Sequence, residues 1–505
     1  MKHLLFAFAA GLAAACGFQP WGLWPLTLMG FAALIWLLAE APRVRSALAR
    51  GWWFAVAHFA LGLNWIATAF TYQTAMPAWL GWIAVVLLSL YLAVYPAAAA
   101  GIAWKYGRRH PLALALWLAA AWIITEWLRG TMFTGFAWNP EGSALLDVGG
   151  LAGAATLVGT YGLSGIAVLA AGALFLVARR RWRSAAALGL PIVAATLILW
   201  PMRAQGPPPL ATAIRLVQPN ISQTDKWRPG FEDEILRRLE RLTNAGQAEP
   251  RLVMWPEVAV TEPLQDARRH PIHQANADWV RRRVQRMLGP ADLLLAGGMA
   301  VNSSDGRRAS GATNSVFAID GAGRILGRYD KAHLVPYGEY LPMRPLLSAI
   351  GLSQLAPGDL DTDPGPGPRT LELPVVGRVG FQLCYEIIFS GEVVDRSNRP
   401  DFLFNPSNDA WFGAWGPPQH LAQARLRALE EGIPVLRSTP TGITAVIDAD
   451  GRLASSLPRH RQGFLDARLP APNPPTLFAL FGNVLPMLFA LLLAAVAIAV
   501  ARKAR

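Results

Sequence analysis

The sequence predicts two architectures in one chain: a multi-span α-helical membrane part of eight transmembrane helices, and an α/β domain inserted before the last of them. Three observations carry this. Apolar stretches recur at the length that crosses hydrocarbon, roughly 20 residues. Only 16% of the 505 residues are charged and 53% are hydrophobic, against roughly 25% charged in a soluble domain. Between the seventh and eighth apolar stretches, short β-rich runs alternate with polar helical patterns, as in α/β folds.

The apolar stretches lie at 4–20, 22–40, 52–71, 78–103, 111–129, 152–178, 184–202 and 475–499. Twenty tryptophans fit such a chain, because Trp collects where a membrane meets water. Orientation follows from the short connections. With the N-terminus inside, the cytoplasmic side receives Lys2, Arg43, Arg45, Arg50, Lys105, Arg108, Arg109, the Arg179–Arg183 cluster, Arg502, Lys503 and Arg505, whereas the short outer connections carry only Arg129. Basic residues favour the cytoplasmic side, so residues 204–472 are expected outside it. The expected organisation is seven helices in 1–203, an extracytoplasmic domain in 204–472, and an eighth helix with a basic cytoplasmic tail in 473–505. The location expected is a bacterial inner membrane, with the domain on the periplasmic side. The net charge of +13 is spread over separate loops rather than one patch able to track phosphates, which argues against nucleic acid. Ala13-Ala14-Ala15-Cys16 resembles a lipoprotein signal only faintly, and no cleavage is expected there.

Few polar groups interrupt the spans. Glu126 and Arg129, one helical turn apart, read as an interfacial pair, with a lipid-headgroup contact as the alternative. His58 and Asn64 read as interhelical hydrogen-bonding groups.

In the domain, Gln205-Gly206-Pro207-Pro208-Pro209 forms a stiff linker. Strands are expected at Thr212–Val217, Leu252–Trp255, Leu293–Ala296, Ser315–Ile319, Val379–Cys384, Phe402–Asn405 and Thr444–Ile447. Helices are expected at Glu232–Asn244, Asn276–Met287 and Pro418–Glu431, the last with Arg425 and Arg427 on its polar side. There are two cysteines. Cys16 lies in the first span and Cys384 in the domain, so they do not pair. A lone thiol is a candidate nucleophile, with a buried small hydrophobe as the bland alternative.

Three stretches place reactive groups beside apolar runs: Trp255-Pro256-Glu257, Tyr329-Asp330-Lys331 followed by Val335-Pro336-Tyr337-Gly338-Glu339, and Cys384-Tyr385-Glu386. Glu, Lys and Cys in that order resemble the carbon–nitrogen hydrolase (nitrilase) superfamily. The surrounding wording and the eight-span frame resemble its membrane branch, the apolipoprotein N-acyltransferases, over essentially the whole chain. The resemblance implies an α-β-β-α nitrilase-like sandwich with Glu257, Lys331 and Cys384 as catalytic triad, and supporting roles for Glu339, Glu386, Tyr385 and Trp227. It also implies a phospholipid acyl donor and a diacylglyceryl apolipoprotein acceptor, with no cofactor, no metal and a monomeric enzyme. One departure is Gly135-Phe136-Ala137-Trp138-Asn139-Pro140, where the family commonly has Pro before the Trp.

The chemistry needs these groups. Acyl transfer from ester to amine splits into two steps through a thioester, and the thiolate is the nucleophile. Glu257 serves as base if a dry pocket raises its pKa, and Lys331 stabilises the oxyanion. His333 and His420 belong to no ligand spacing. Asn405–Gly413 reads as a polar loop lining the pocket or as a plain turn. Two other readings stay open: a membrane-tethered amidase or nitrilase that passes its acyl group to water, and a non-catalytic lipid-binding or transport protein.

Overall fold

The computed structural model describes residues 1–72, 77–202, 206–244, 249, 251–349, 354 and 362–503. The junction expected at 203/204, Gln205 of the linker and Arg505 of the tail lie outside them.

The N-terminal part is helical. Its helices are Lys2–Ala15, Trp24–Ala39, Val44–Gly62, Ile66–Ala69, Leu80–Leu92, Val94–Gly107, Pro111–Thr131, Ala155–Ala178 and Trp182–Met202; Leu477–Phe481 and Val484–Lys503 follow the α/β domain. Among the described residues, five segments are long and apolar enough to cross a membrane: Leu80–Gly107, Pro111–Thr131, Gly149–Ala178, Trp182–Trp200 and Val484–Lys503. Lys2–Ala15 and Trp24–Ala39 are apolar but shorter, and Val44–Gly62 carries Arg45, Arg50 and His58. The third span, expected at 52–71, begins at Val44 and stops at Gly62. Arg50 was expected in a connection. It is buried inside this helix instead, donating to the Leu37 carbonyl. That carbonyl is among the last four of the preceding helix, which have no intrahelical partner.

The domain has two sheets. The strands are β1 (Ala213–Gln218), β2 (Arg251–Met254), β3 (Gln265–Asp266), β4 (Leu293–Asn302), β5 (Gly311–Asp320), β6 (Ile325–Asp330), β7 (Thr370–Leu373), β8 (Gly377–Phe381), β9 (Phe402–Pro406), β10 (Val435–Ser438), β11 (Thr444–Ile447), β12 (Leu453–Leu457) and β13 (Gly463–Arg468). One sheet runs β13-β1-β2-β4-β5-β6 with β3 on β4, the other β12-β11-β10-β9-β8-β7. In each, the central three strands are parallel (β1–β2–β4 and β8–β9–β10) and the strands that continue the sheet on either side are antiparallel, whereas the short β3 joins β4 in parallel.

Alternation along the strands builds the layers. Side chains point to opposite faces with period two. Leu252 and Met254 of β2 therefore join Phe381, Phe402 and Phe404 between the sheets. Val253 and Trp255 point the other way, onto Leu236 and Leu239 of helix Glu232–Asn244 and Val280 of helix Pro271–Gln285. The second sheet sends Leu403, Val435 and Ile447 outward onto Leu421, Ala424 and Ala428 of helix Gly416–Glu431. The result is the α-β-β-α sandwich.

That last helix is not half-solvated as expected. Its other side packs Ala422, Leu426 and Leu429 on Leu146, Leu151 and Leu163 of the membrane part. Arg427 is fully buried, paired with Glu430 at 2.8 Å and donating to the Ile388 carbonyl at 3.2 Å. Arg425 reaches Asp147 at 3.0 Å. An exposed stripe in sequence became a buried one because a second layer covers it.

The polar groups near the membrane also found protein partners. Glu126 and Arg129 are buried, 3.8 Å apart. Glu126 accepts from the Glu141 N–H at 2.8 Å, and Arg129 donates to the carbonyls of Phe136 (3.0 Å) and Trp138 (2.8 Å). The pair therefore holds the 132–140 loop rather than facing lipid headgroups. His58 approaches Glu141 at 3.3 Å across elements, whereas Asn64 bonds back to Leu61 within its own segment.

Candidate active site

The Glu257 side of the site starts at β2, whose residues are all buried. The Trp255 N–H bonds to the Leu295 carbonyl at 2.9 Å, and Pro256, with no N–H to give, ends the ladder. The following turn presses on β4 at Gly297, where a Cβ would lie 2.2 Å from the Pro256 carbonyl oxygen. Only glycine lets Glu257 approach so closely. Val258 completes the turn with φ 44°.

Lys331 follows the last residue of β6, and its N–H bonds to the Asn314 carbonyl at 2.9 Å. Its ammonium lies 2.8 Å from Glu339 and 3.4 Å from Glu257. Glu339 reaches it by a tight turn: the Glu339 N–H bonds to the Val335 carbonyl, and the Val335 N–H to the Glu339 carboxylate, each at 2.9 Å.

Cys384 was expected to end a strand. β8 stops at Phe381, and Cys384 instead opens the 3-10 turn Cys384–Ile388. Its φ is 48°, a left-handed conformation that costs a non-glycine residue about 1–3 kcal/mol. The Glu257 carboxylate, the Lys331 ammonium and the Asn408 N–H all act electrostatically on the thiol. The loop after β9 thus lies against the thiol. Glu257, Lys331 and Cys384 come together with 6%, 1% and 5% exposure.

The charges in this dry pocket overturn one expectation. Burial favours a raised Glu257 pKa, but the ammonium of Lys331, the amide of Asn314 and the ammonium of Lys226 outweigh it and hold the carboxyl below its usual range. Burial and the Glu257 charge push the Cys384 thiol well up. Burial opposes the Lys331 charge, yet Glu339 and Glu257 raise its pKa above the ordinary lysine value. The resting arrangement is therefore thiol, carboxylate and ammonium.

Glu386 is a clamp. It accepts from the Tyr329 hydroxyl (2.9 Å) and the N–H groups of Ala332 (2.8 Å), His333 (3.0 Å) and Leu383 (2.7 Å). One carboxylate thereby ties the loop after Lys331 to the residue before Cys384. Burial pushes it up to about 7 against the pull of those backbone donors. Glu386→Gln places an amide N–H₂ or a mismatched oxygen against these donors, and an unsatisfied buried donor costs about 1–3 kcal/mol. The expected result is a lower Tm in thermal unfolding of the detergent-solubilised chain; an unchanged Tm would refute the clamp.

Tyr385 is buried and donates to the Gly135 carbonyl at 3.3 Å, joining the thiol turn to the membrane part. His333 does likewise, with Nε2 2.8 Å from the Thr134 carbonyl. Trp227 stands 39% exposed at the end of the turn Gln223–Lys226. Its neighbour Lys226 reaches the site instead, donating to the Glu257 carbonyl at 3.0 Å. Burial pushes the Lys226 ammonium down to about 8, against the carboxylate of Glu257 and the Cys384 sulfur.

Two groups that sequence reasoning missed complete the site. Asn314 bridges both carboxylates, donating to Glu257 at 2.8 Å and Glu339 at 3.1 Å. Lys226 was passed over for the Trp beside it. The only signal was a polar Asn inside an apolar strand and a Lys in a short polar turn, neither distinctive. Among the described residues no three His, Cys, Asp or Glu side chains converge as metal ligands.

Comparison with known proteins agrees with this architecture. The family profile described as apolipoprotein N-acyltransferase N-terminal domain matches residues 10–173, and the carbon-nitrogen hydrolase profile matches residues 213–472. The chain is 34% identical to the apolipoprotein N-acyltransferase of Rhodopseudomonas palustris, over 96% of this chain and 92% of the relative. It is 35% identical to that of Bradyrhizobium diazoefficiens, with the same coverage. For the enzyme of the same name from Sinorhizobium medicae the identity is 36%, over 94% of this chain and 91% of the relative.

Proposed function

Because the chain belongs to the apolipoprotein N-acyltransferase family, we propose that it moves a fatty acyl group from a phospholipid, through a thioester on Cys384, to the N-terminal α-amine of a diacylglyceryl-cysteine lipoprotein. The observation that carries this reading is the burial of Cys384, Glu257 and Lys331 in one site, with the Lys331 ammonium 3.4 Å from the Glu257 carboxylate and that carboxylate's charge acting on the thiol. In this reading Glu257 takes the thiol proton as the sulfur attacks the ester carbonyl. Lys331 stabilises the oxyanion. The tetrahedral intermediate collapses, the C–O bond breaks, and Glu257 returns its proton to the departing lysophospholipid. In the second half the α-amine attacks the thioester, gives its proton to Glu257, and expels Cys384, which recovers that proton. An amide forms, and no cofactor is needed. Glu339 keeps Lys331 charged and placed. Residues 204–472 act as a periplasmic catalytic domain between seven helices and an eighth, the termini lie in the cytoplasm, and the enzyme works as a monomer.

The test incubates the purified chain with acyl-labelled phosphatidylethanolamine and no acceptor. Label should accumulate as a hydroxylamine-sensitive adduct on Cys384, be absent in Cys384→Ala, and leave on addition of a diacylglyceryl peptide. Discharge by water as fast as by peptide would replace this reading with a hydrolase. No adduct at all would favour a non-catalytic lipid-binding protein.

A further inference from the structure

His420 has no part in the proton steps above, yet it is fully buried and touches the backbone of the proposed nucleophile. Its Nε2 lies 2.9 Å from the Cys384 carbonyl oxygen. A carbonyl only accepts, so Nε2 carries a hydrogen. Nδ1 lies 3.0 Å from Asp409 Oδ1 and 3.1 Å from Arg437 Nη2. Arg437 donates in turn to Asp409 at 2.6 Å, to Ser407 at 2.9 Å and to Asn405. Asp409 and Arg437 neutralise each other, and burial together with Arg437 pushes the imidazole below its usual range. Nε2–H donates to the Cys384 carbonyl, while Nδ1 faces the ion pair of Asp409 and Arg437.

The surroundings leave this ring no freedom. Trp138 from the membrane part packs on it with ring centroids 5.1 Å apart, and Trp138 Nε1 bonds to the adjacent Gln419 side chain at 2.8 Å. Phe412 packs edge-on at 5.6 Å. On the other side of the thiol, Glu386 holds the Leu383 N–H. One pin thus precedes the left-handed residue and one follows it, so the two together fix the torsions that aim the sulfur.

We propose that His420 is a positioning residue for Cys384: its Nε2–H holds the carbonyl of that residue and keeps the strained turn that directs the thiol at Glu257. The inference rests on the reading of Cys384 as nucleophile. A merely space-filling histidine would be replaced by phenylalanine without consequence for the reaction.

The experiment compares full-length wild type, His420→Phe and His420→Gln in detergent micelles. Phe keeps ring packing but has no donor, whereas the Gln amide can reach the same carbonyl. His420→Phe is expected to form the Cys384 thioester about 100-fold more slowly, the usual scale for a misplaced reacting group, with the phospholipid KM changed by less than about threefold. His420→Gln should recover most of that loss. A His420→Phe rate within about threefold of wild type overturns the proposal, as does a folded His420→Gln no faster than Phe. If His420→Phe does not fold, His420→Gln decides alone: a folded Gln variant more than about 100-fold slow overturns the proposal, and a smaller loss supports it. Because the chain has two cysteines, ¹³C-carbonyl cysteine labelling gives a second readout that needs no acyl transfer. The Cys384 carbonyl signal should move in His420→Phe and return in His420→Gln, and an unmoved signal overturns the proposal. Should wild type form no thioester, the nucleophile reading fails, while this signal still decides whether His420 holds the carbonyl.

Discussion

Lys331→Met is expected to lower both the rate of Cys384 acylation and the stability of the chain, and to make that stability depend on pH. Lys331 is 1% exposed and pairs with Glu339 at 2.8 Å and Glu257 at 3.4 Å. Removing it takes away the oxyanion's cationic partner, which should cost about 10²–10³ in thioester formation. It also leaves the buried Glu257 and the half-buried Glu339 without their shared ammonium, and breaking a buried pair costs about 3–5 kcal/mol. The pH dependence follows from linkage. In wild type the Glu257 pKa is held below its usual value and the Lys331 pKa above its own. The stabilisation from Glu257 is complete above its unfolded pKa of about 4.3 and is lost as pH falls through the lower folded value; that from Lys331 is complete below about 10.4 and is lost as pH rises through the higher folded value. Between those limits this pair contributes no slope. Lys331→Met removes the largest cause that lowers the Glu257 pKa, and burial is then expected to prevail, so that the folded state binds this proton more tightly than the unfolded chain. Stability should then fall as pH rises above about 4.3. Thermal unfolding of Lys331→Met between pH 5 and 8, beside single-turnover acylation, checks all three. A flat Tm with a near-normal rate would refute the assigned role.

Glu257→Gln is expected to slow thioester formation by about 10²–10⁴, the range for loss of a general base, while making the thiol easier to ionise. The two effects have opposite signs because Glu257 does two things. In the proposed mechanism it receives the proton during attack, and its negative charge, after burial, is the next cause that raises the Cys384 pKa. Gln keeps the volume, and Lys331 keeps Glu339 as its counter-charge. Alkylation of Cys384 by iodoacetamide should therefore reach its thiolate plateau at lower pH in the variant, even as acyl transfer slows. Slower acylation with an unchanged alkylation profile would mean that Glu257 acts only on the substrate. Unchanged acylation would remove it from the mechanism.

The sequence was readable where a residue's role is local. Leu252-Val253-Met254 alternates across a sheet by its own geometry, and Pro256 ends that strand because it has no N–H. The reactive triplets sit after apolar runs, and three of them converge as their order suggested. Glu339 was placed beside Lys331 by a turn of eight residues' separation, again a near neighbour. The boundaries were less legible. Leu383 extends the apolar character beyond Phe381, yet the strand ends there, and Cys384 turns left-handed three residues on.

Groups whose meaning depends on a distant partner were not legible. Asn314 is one polar residue in β5 until Glu257 and Glu339 are both seen to accept from it. His420, Asp409 and Arg437 come from a helix, a 3-10 turn and β10, and only their packing makes them one network. Arg427 looked solvated because its helix is amphipathic towards one sheet, and nothing local announces that membrane helices cover the other side.

The amino-acid sequence by itself determined the two-part architecture of this protein and the alternation that builds its sheets, since these follow from local hydrophobicity and residue type, and it carries Glu257, Lys331 and Cys384, whose proposed chemistry rests on the family resemblance. Only the tertiary structure decided the ionisation of that chemistry. Burial alone would have raised Glu257, and the side chains of Lys331, Asn314 and Lys226, brought from separate elements, reversed the sign. Electrostatic energy depends on distance and desolvation, and neither exists before the chain has folded.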